Sequence, residues 1–175
     1  AVNSNGIVGD FSSASGTYIL ATPTDIDDMN EESGVWFLDN SSGSAVSGLV
    51  LPTLTDGWKY EGWAVIGGVP VSTGTFSSVN NFDDNATTSM FKGNSGNGPA
   101  FPGEDYIQNA PNGLTFPTDL KGATIVISVE PVPDNSTNPF TLKPLAHVVP
   151  ANAAVHTAIT MGYGPVSALS GTISR

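Results

Sequence analysis

The chain contains no cysteine. That removes a disulfide framework, a thiolate nucleophile and a Cys-ligated zinc, and with them the small secreted folds that need such staples. Basic residues are nearly as scarce. Lys59, Lys92, Lys121, Lys143 and Arg175 stand singly against sixteen acidic residues, and the net charge is −11. Nucleic acid is held by clustered Lys and Arg that neutralise phosphates, so this charge pattern argues against a nucleic-acid partner. An anionic membrane surface repels the chain for the same reason. No apolar run approaches the roughly 20 residues that cross a bilayer. The nucleophile elbow Gly-x-Ser-x-Gly and the phosphate loop Gly-x-x-x-x-Gly-Lys are both missing. The two histidines, His147 and His156, lie outside any paired metal motif and read as structural or surface groups, with a cross-sheet metal pair as the alternative.

What remains describes a β-protein. Length, 175 residues, suits one domain with a proper core, so residues 1–175 read as a single unit. Charged residues make up only 12%, while 20 glycines and 13 prolines supply turns, a balance that favours many short strands over charged helices. The strongest local signal is Trp58 to Phe76. Two β-branched and aromatic runs flank Gly67-Gly68, and a type I′ turn needs positive φ at both central residues, which glycine adopts without steric cost. On the first arm Glu61, Trp63 and Val65 alternate with Tyr60, Gly62, Ala64 and Ile66. Both sets include apolar groups, which predicts a strand covered on both faces for part of its length.

Further strands are predicted at 16–22, 34–39, 46–54, 124–130, 140–149, 153–161 and 166–173, the third interrupted or placed at an edge by Pro52. In Thr124–Glu130, Ile125, Ile127 and Val129 occupy one face and Thr124, Ser128 and Glu130 the other, the pattern of a half-buried strand. Antiparallel packing into an all-β, immunoglobulin-like sandwich buries so many short strands most simply. Residues 77–119 are rich in Asn, Asp, Gly and Pro but carry Phe82, Phe91, Phe101, Tyr106 and Phe116. They read as one long inserted loop folded over an end or face of the sandwich, because loops of this length are uncommon in compact domains.

Tyr60-Glu61-Gly62-Trp63-Ala64-Val65 and Pro70-Val71-Ser72-Thr73-Gly74-Thr75-Phe76 resemble the aromatic–x–x–Trp and Pro–x–x–x–Gly–x–Phe strands of the anti-sigma-K factor C-terminal domain. Thr124 to Pro131 with Pro133-Asp134-Asn135-Ser136 is similar to that family's later Val-x-Val-Glu-Pro strand and turn. The resemblance covers about residues 34–145, with 77–119 as an insertion. It implies an extracytoplasmic β-sandwich used in sensing, adhesion or assembly. The family's membrane helix and sigma-binding part have no counterpart in this sequence, so anti-sigma activity is not carried over.

Three groups of residues offer chemistry. The run Asp25-Ile26-Asp27-Asp28-Met29-Asn30-Glu31-Glu32 packs oxygen donors densely, and Asp25, Asp27, Asp28, Asn30 and Glu31 are the candidate ligands for calcium, which takes six to eight oxygens. It lacks the glycine and spacing of an EF-hand loop, and a solvated acidic loop is the plain alternative. Asp83-Asp84 and Glu104-Asp105 would serve a hydrolase if they met in a cleft with a raised pKa. Trp36 and Trp63 read as core, while Trp58, beside Asp56-Gly57, is open to either core packing or stacking on a sugar. The resulting expectation is an exported non-enzymatic binding or structural module with a protein or carbohydrate partner. Its location is periplasmic, outer-surface or secreted, a reading that the start at Ala1 without an initiator Met fits. The alternatives are a calcium-stabilised carbohydrate-binding module and a carboxylate-dependent hydrolase.

Overall fold

A computed structural model of the chain describes residues 9–164. The strands, in chain order, are β1 (Ser15–Leu20), β2 (Gly34–Trp36), β3 (Leu38–Asp39), β4 (Val46–Ser47), β5 (Leu49–Val50), β6 (Trp58–Ile66), β7 (Val69–Phe76), β8 (Gly103–Asp105), β9 (Thr124–Pro131), β10 (Leu145–Val148), β11 (Ile159–Thr160) and β12 (Gly162–Tyr163). The strand predicted at 166–173 lies outside the described residues. All pairings are antiparallel. One sheet runs β11-β1-β2-β8, with β5 also on β1; the other runs β12-β10-β9-β6-β7, and β3 and β4 form a separate ribbon. Among the described residues no helix is long and apolar enough to cross a membrane.

The main core lies between the two sheets. Tyr18, Leu20, Val35 and Phe37 come from the first side. Tyr60, Ala64, Ile66, Val71, Phe76, Ile125, Ile127, Val129 and Leu145 come from the second. Burying one Val, Leu, Ile or Phe side chain contributes about 1.5–3 kcal/mol, so this alternating set provides most of the driving force for stacking the sheets. The first sheet approaches β10 closely at Gly16, where a Cβ would sit 2.7 Å from Met161 Sδ and 2.8 Å from Leu145 Cδ1. The chain is an all-β sandwich, as its alternation predicts.

The hairpin forms as predicted, Gly67 and Gly68 having φ of +58° and +88°. Its register slips at Gly62/Trp63: Glu61 faces Thr75 and Trp63 faces Ser72, leaving Thr73 as the extra residue. Such a bulge re-aims side chains, and here it puts Ser72 and Thr75, three positions apart, on the face that carries Glu61 and Trp63.

Two predictions need correction. Residues 77–119 are more than a loop over the sandwich, because they return at β8 to pair with β2, joining Gly34 to Asp105 and Trp36 to Gly103. Apart from the exposed Phe82, their aromatics belong to the packing: Tyr106 is fully buried, and Phe91, Tyr106 and Phe116 pack with ring centroids 5.3–6.1 Å apart. Phe101 closes a second small core with Ile19, Ala21, Trp36 and Leu38 on the opposite face of β1 and β2. Second, β9 is not half-buried, since Ser128 and Glu130 on its polar face are 0% and 1% exposed. The 132–144 connection folds back over this face, the N–H of Phe140 donating to Glu130 Oε1 at 2.8 Å and Phe140 packing on Trp58.

Candidate functional site

Two clusters of carboxylates are buried. The first joins β8 to the earlier part of the inserted segment and to the turn after β1. Asp105 Oδ2 accepts from the N–H and hydroxyl of Thr24 at 2.7 and 2.5 Å, and its Oδ1 accepts from the Trp36 indole at 2.6 Å. Glu104 Oε2 accepts from the Ser89 hydroxyl, and Oε1 from the N–H of Asp105. The N–H groups of Asn85 and Gly103 donate to the two oxygens of Asp83, each at 3.2 Å. Burial pushes Glu104 up to about 8 and Asp83 and Asp105 up to about 6, with the neighbouring carboxylates adding to the rise at Glu104. Asp83 and Asp105 thus act electrostatically on Glu104, and all three acids are shifted upward. They lie in the interior rather than in a cleft, at 5%, 3% and 0% exposure for Asp83, Glu104 and Asp105. Asp84 turns outward instead, to Lys59 Nζ at 2.7 Å and the Thr75 hydroxyl at 2.5 Å.

The second cluster lies on the outer face of the β6–β9 pair, where Glu61 stands opposite Ser128. Glu61, Glu130 and Asp134 each offer an oxygen within 4.8 Å of the others, and among the described residues they are the one group of three acidic or histidine side chains to converge so closely. The bulge delivers the Ser72 hydroxyl to Glu61 Oε1 at 2.5 Å. The Trp63 indole donates to Ser128 Oγ at 2.8 Å, and the Ser128 hydroxyl donates in turn to Glu130 Oε1. Glu130 Oε2 is different: it is buried and has no hydrogen-bond partner. Burial pushes Glu61 up to about 7, with Glu130 and Asp134 adding repulsion, and burial raises Glu130 as well. Lys143 is the nearby cation, but its Nζ is turned to the carbonyls of Phe140 and Pro139, at 2.6 and 3.5 Å. Three oxygen donors without nitrogen or sulfur form a set suited to a hard cation.

The acidic run is arranged otherwise. Asp25 accepts from the Ile26 N–H and from Asn30 Nδ2, and Asp27 accepts from the Met29 N–H. Asn30 Oδ1 accepts from the Thr22 hydroxyl, and Glu31 Oε2 accepts from the Thr22 N–H and lies 3.1 Å from His156 Nε2. Asp28 is exposed. The loop's donors and acceptors fold it onto itself, and no three of its carboxylates converge within the distance that Glu61, Glu130 and Asp134 achieve. The two histidines are apart, His156 on Glu31 and His147 Nδ1 3.0 Å from the Tyr18 hydroxyl. Trp36 and Trp63 are core, at 2% and 3% exposure. Trp58 is half-buried and lines a shallow pocket of about 270 Å³ with Thr53, Thr55, Asp56 and Tyr60.

Glu61 and Glu130 carried a sequence signal that density alone does not convey. Each is an acidic residue inside a predicted strand rather than in a turn, and carboxylates are almost never fully buried without a partner. Comparison with protein-family models, with curated proteins and with solved structures finds no match in any of the three.

Proposed function

We propose that this chain is an exported, non-enzymatic binding or structural module of the kind that anti-sigma-K factors carry outside the cytoplasm. The observation that carries the reading is the inward orientation of its carboxylates. Asp83, Glu104 and Asp105, the residues a hydrolase would use, are spent on hydrogen bonds that fasten the inserted segment. A general acid or base must reach the proton it transfers, and these groups are closed off by the protein itself. The three segments that resemble the family add support, because they form the contiguous strands β7, β6 and β9 of one sheet. The test has two arms. Fractionation of source cells should place the protein outside the cytoplasm, and a cytoplasmic location would overturn the export. Aryl-glycoside and aryl-ester substrates should show no turnover, and turnover abolished by Glu104→Gln would replace this reading with the hydrolase.

A carbohydrate rather than a protein ligand is favoured by one feature, the pocket beside Trp58, where an indole, a carboxylate and threonine hydroxyls share one concavity. Titration with oligosaccharides should then quench tryptophan emission in the parent chain, and Trp58→Ala should remove the response.

A further inference from the structure

We propose that Glu61, Glu130 and Asp134 form a binding site for one calcium ion. The argument starts from an unmet requirement. Among the described residues, two buried side-chain oxygens lack a hydrogen-bond partner, Thr73 Oγ1 and Glu130 Oε2, and the second belongs to a carboxylate. A buried polar group without a partner is costly, and more so when it carries charge. The surrounding structure nevertheless holds this carboxylate beside two other acids. The bulge at Thr73 aims Ser72 at Glu61, and the 132–144 connection covers Glu130 while bringing Asp134 within 4.8 Å.

Hydroxyl and amide donors already occupy Glu130 Oε1 and Glu61 Oε1, which fixes the orientation of both carboxylates. That is the second layer of contacts a metal site uses to hold its ligands in place. Asp134 is half-exposed, so the cluster has one side open to solvent. The donor set selects among metals. Oxygen alone disfavours zinc, and both histidines are engaged elsewhere, with Glu31 and Tyr18. Two carboxylates from rigid strands and one from a connecting loop give the irregular arrangement calcium accepts, whereas magnesium demands a near-ideal octahedron. Water would complete the coordination. The inference does not rest on the reading of function above, since a structural ion would fit an enzyme equally well.

The test is calorimetric titration and thermal unfolding of the full chain, stripped with chelator and then given CaCl2 at constant ionic strength. MgCl2 and ZnCl2 run in parallel. One calcium should bind per chain, with a dissociation constant of about 0.1–1 mM or tighter, the range of extracellular modules. The unfolding midpoint should rise by about 5 °C at roughly 10 mM calcium, by mass action on the folded state. Asp134→Ala changes a half-exposed loop residue and leaves the strands intact; it should weaken binding at least about tenfold. Asp27→Asn in the acidic run should leave binding unchanged. Terbium should bind in calcium's place and emit on excitation of Trp63, and Trp63→Phe should dim that emission. The proposal fails if calcium gives neither heat nor a midpoint shift. It fails equally if Asp134→Ala binds like the parent, if Asp27→Asn abolishes binding, or if magnesium or zinc binds more tightly than calcium.

Discussion

The two buried carboxylate clusters are made of the same chemistry and reach opposite ends. Around Asp105, each oxygen meets donors of the chain itself, from Thr24 and from the Trp36 indole. Around Glu130, one oxygen is met by Ser128 and Phe140 while the other has none. The first cluster is closed and acts as a fastening between β8, the inserted segment and the turn after β1. The second keeps capacity in hand and has a side open to solvent through Asp134. A buried acid whose oxygens all meet donors of the chain has no capacity left, whereas one with an unmet oxygen can still take a water or an ion.

The largest test of this contrast is Asp105→Ala. It would strand the N–H and hydroxyl of Thr24 and the Trp36 indole in the interior, and each buried donor without a partner costs about 1–3 kcal/mol. We expect a loss of roughly 3–5 kcal/mol in urea unfolding, which would be near the upper limit for a single substitution. A loss below about 1 kcal/mol would mean that water or rearrangement replaces the acid easily, and the fastening role would be lost.

The next effect is on pH dependence. Glu104 has a folded-state pKa of about 8, and Asp83 and Asp105 of about 6, all above the ordinary carboxylate range. A raised folded-state pKa means that the folded chain binds more protons than the unfolded one. The associated stability is therefore complete at low pH, below about 4, and is lost as pH rises through 6 and 8. The groups that face Glu104 are Asp83 and Asp105, with Tyr106 beside them, and Glu31 acts on Asp105. The thermal midpoint in chelator should fall by roughly 5 °C or more between pH 5 and pH 8.5. Glu104→Gln should flatten the upper part of that fall, and an unchanged slope would show that Glu104 keeps its charge at neutral pH.

Ser128→Ala probes the second cluster without touching a carboxylate. It removes the partner of the Trp63 indole and one of the two donors to Glu130 Oε1. The expected loss is about 1–2 kcal/mol, smaller than at Asp105 because Phe140 still serves that oxygen. A loss as large as that of Asp105→Ala would erase the distinction between the closed and the open cluster.

The sequence made the frame of this comparison legible and hid its centre. The hairpin could be read because its determinants are local: two glycines with positive φ between alternating runs. The inner face of β9 could be read because Ile125, Ile127 and Val129 repeat every second residue. The outer face could not, because alternation assigns Ser128 and Glu130 to solvent, and what buries them is a connection that folds back from residues 132–144. β8 was hidden for a similar reason, since Gly103-Glu104-Asp105 has no strand preference of its own and is held by pairing with β2. The acidic run at 25–32 attracted attention by density along the chain. Ligand convergence is a spatial property, and the three acids that converge come from positions 61, 130 and 134, the first separated from the other two by the whole inserted segment.

The smallest effect is also the most discriminating. Asp134→Asn in chelator should change stability by less than about 0.5 kcal/mol, as expected for a half-exposed loop residue. The sign should be favourable, because one of the charges that repel Glu61 and Glu130 is removed. In calcium the same substitution should cost most of the parent's calcium-dependent rise in midpoint. A closed cluster cannot behave in this way, since a residue that serves only as a fastening destabilises by the same amount whether calcium or chelator is present. Equal losses in the two conditions would therefore make Glu61, Glu130 and Asp134 a second, poorly satisfied fastening. A reversal of sign between chelator and calcium would identify Asp134 as the residue through which the open cluster takes up its ion.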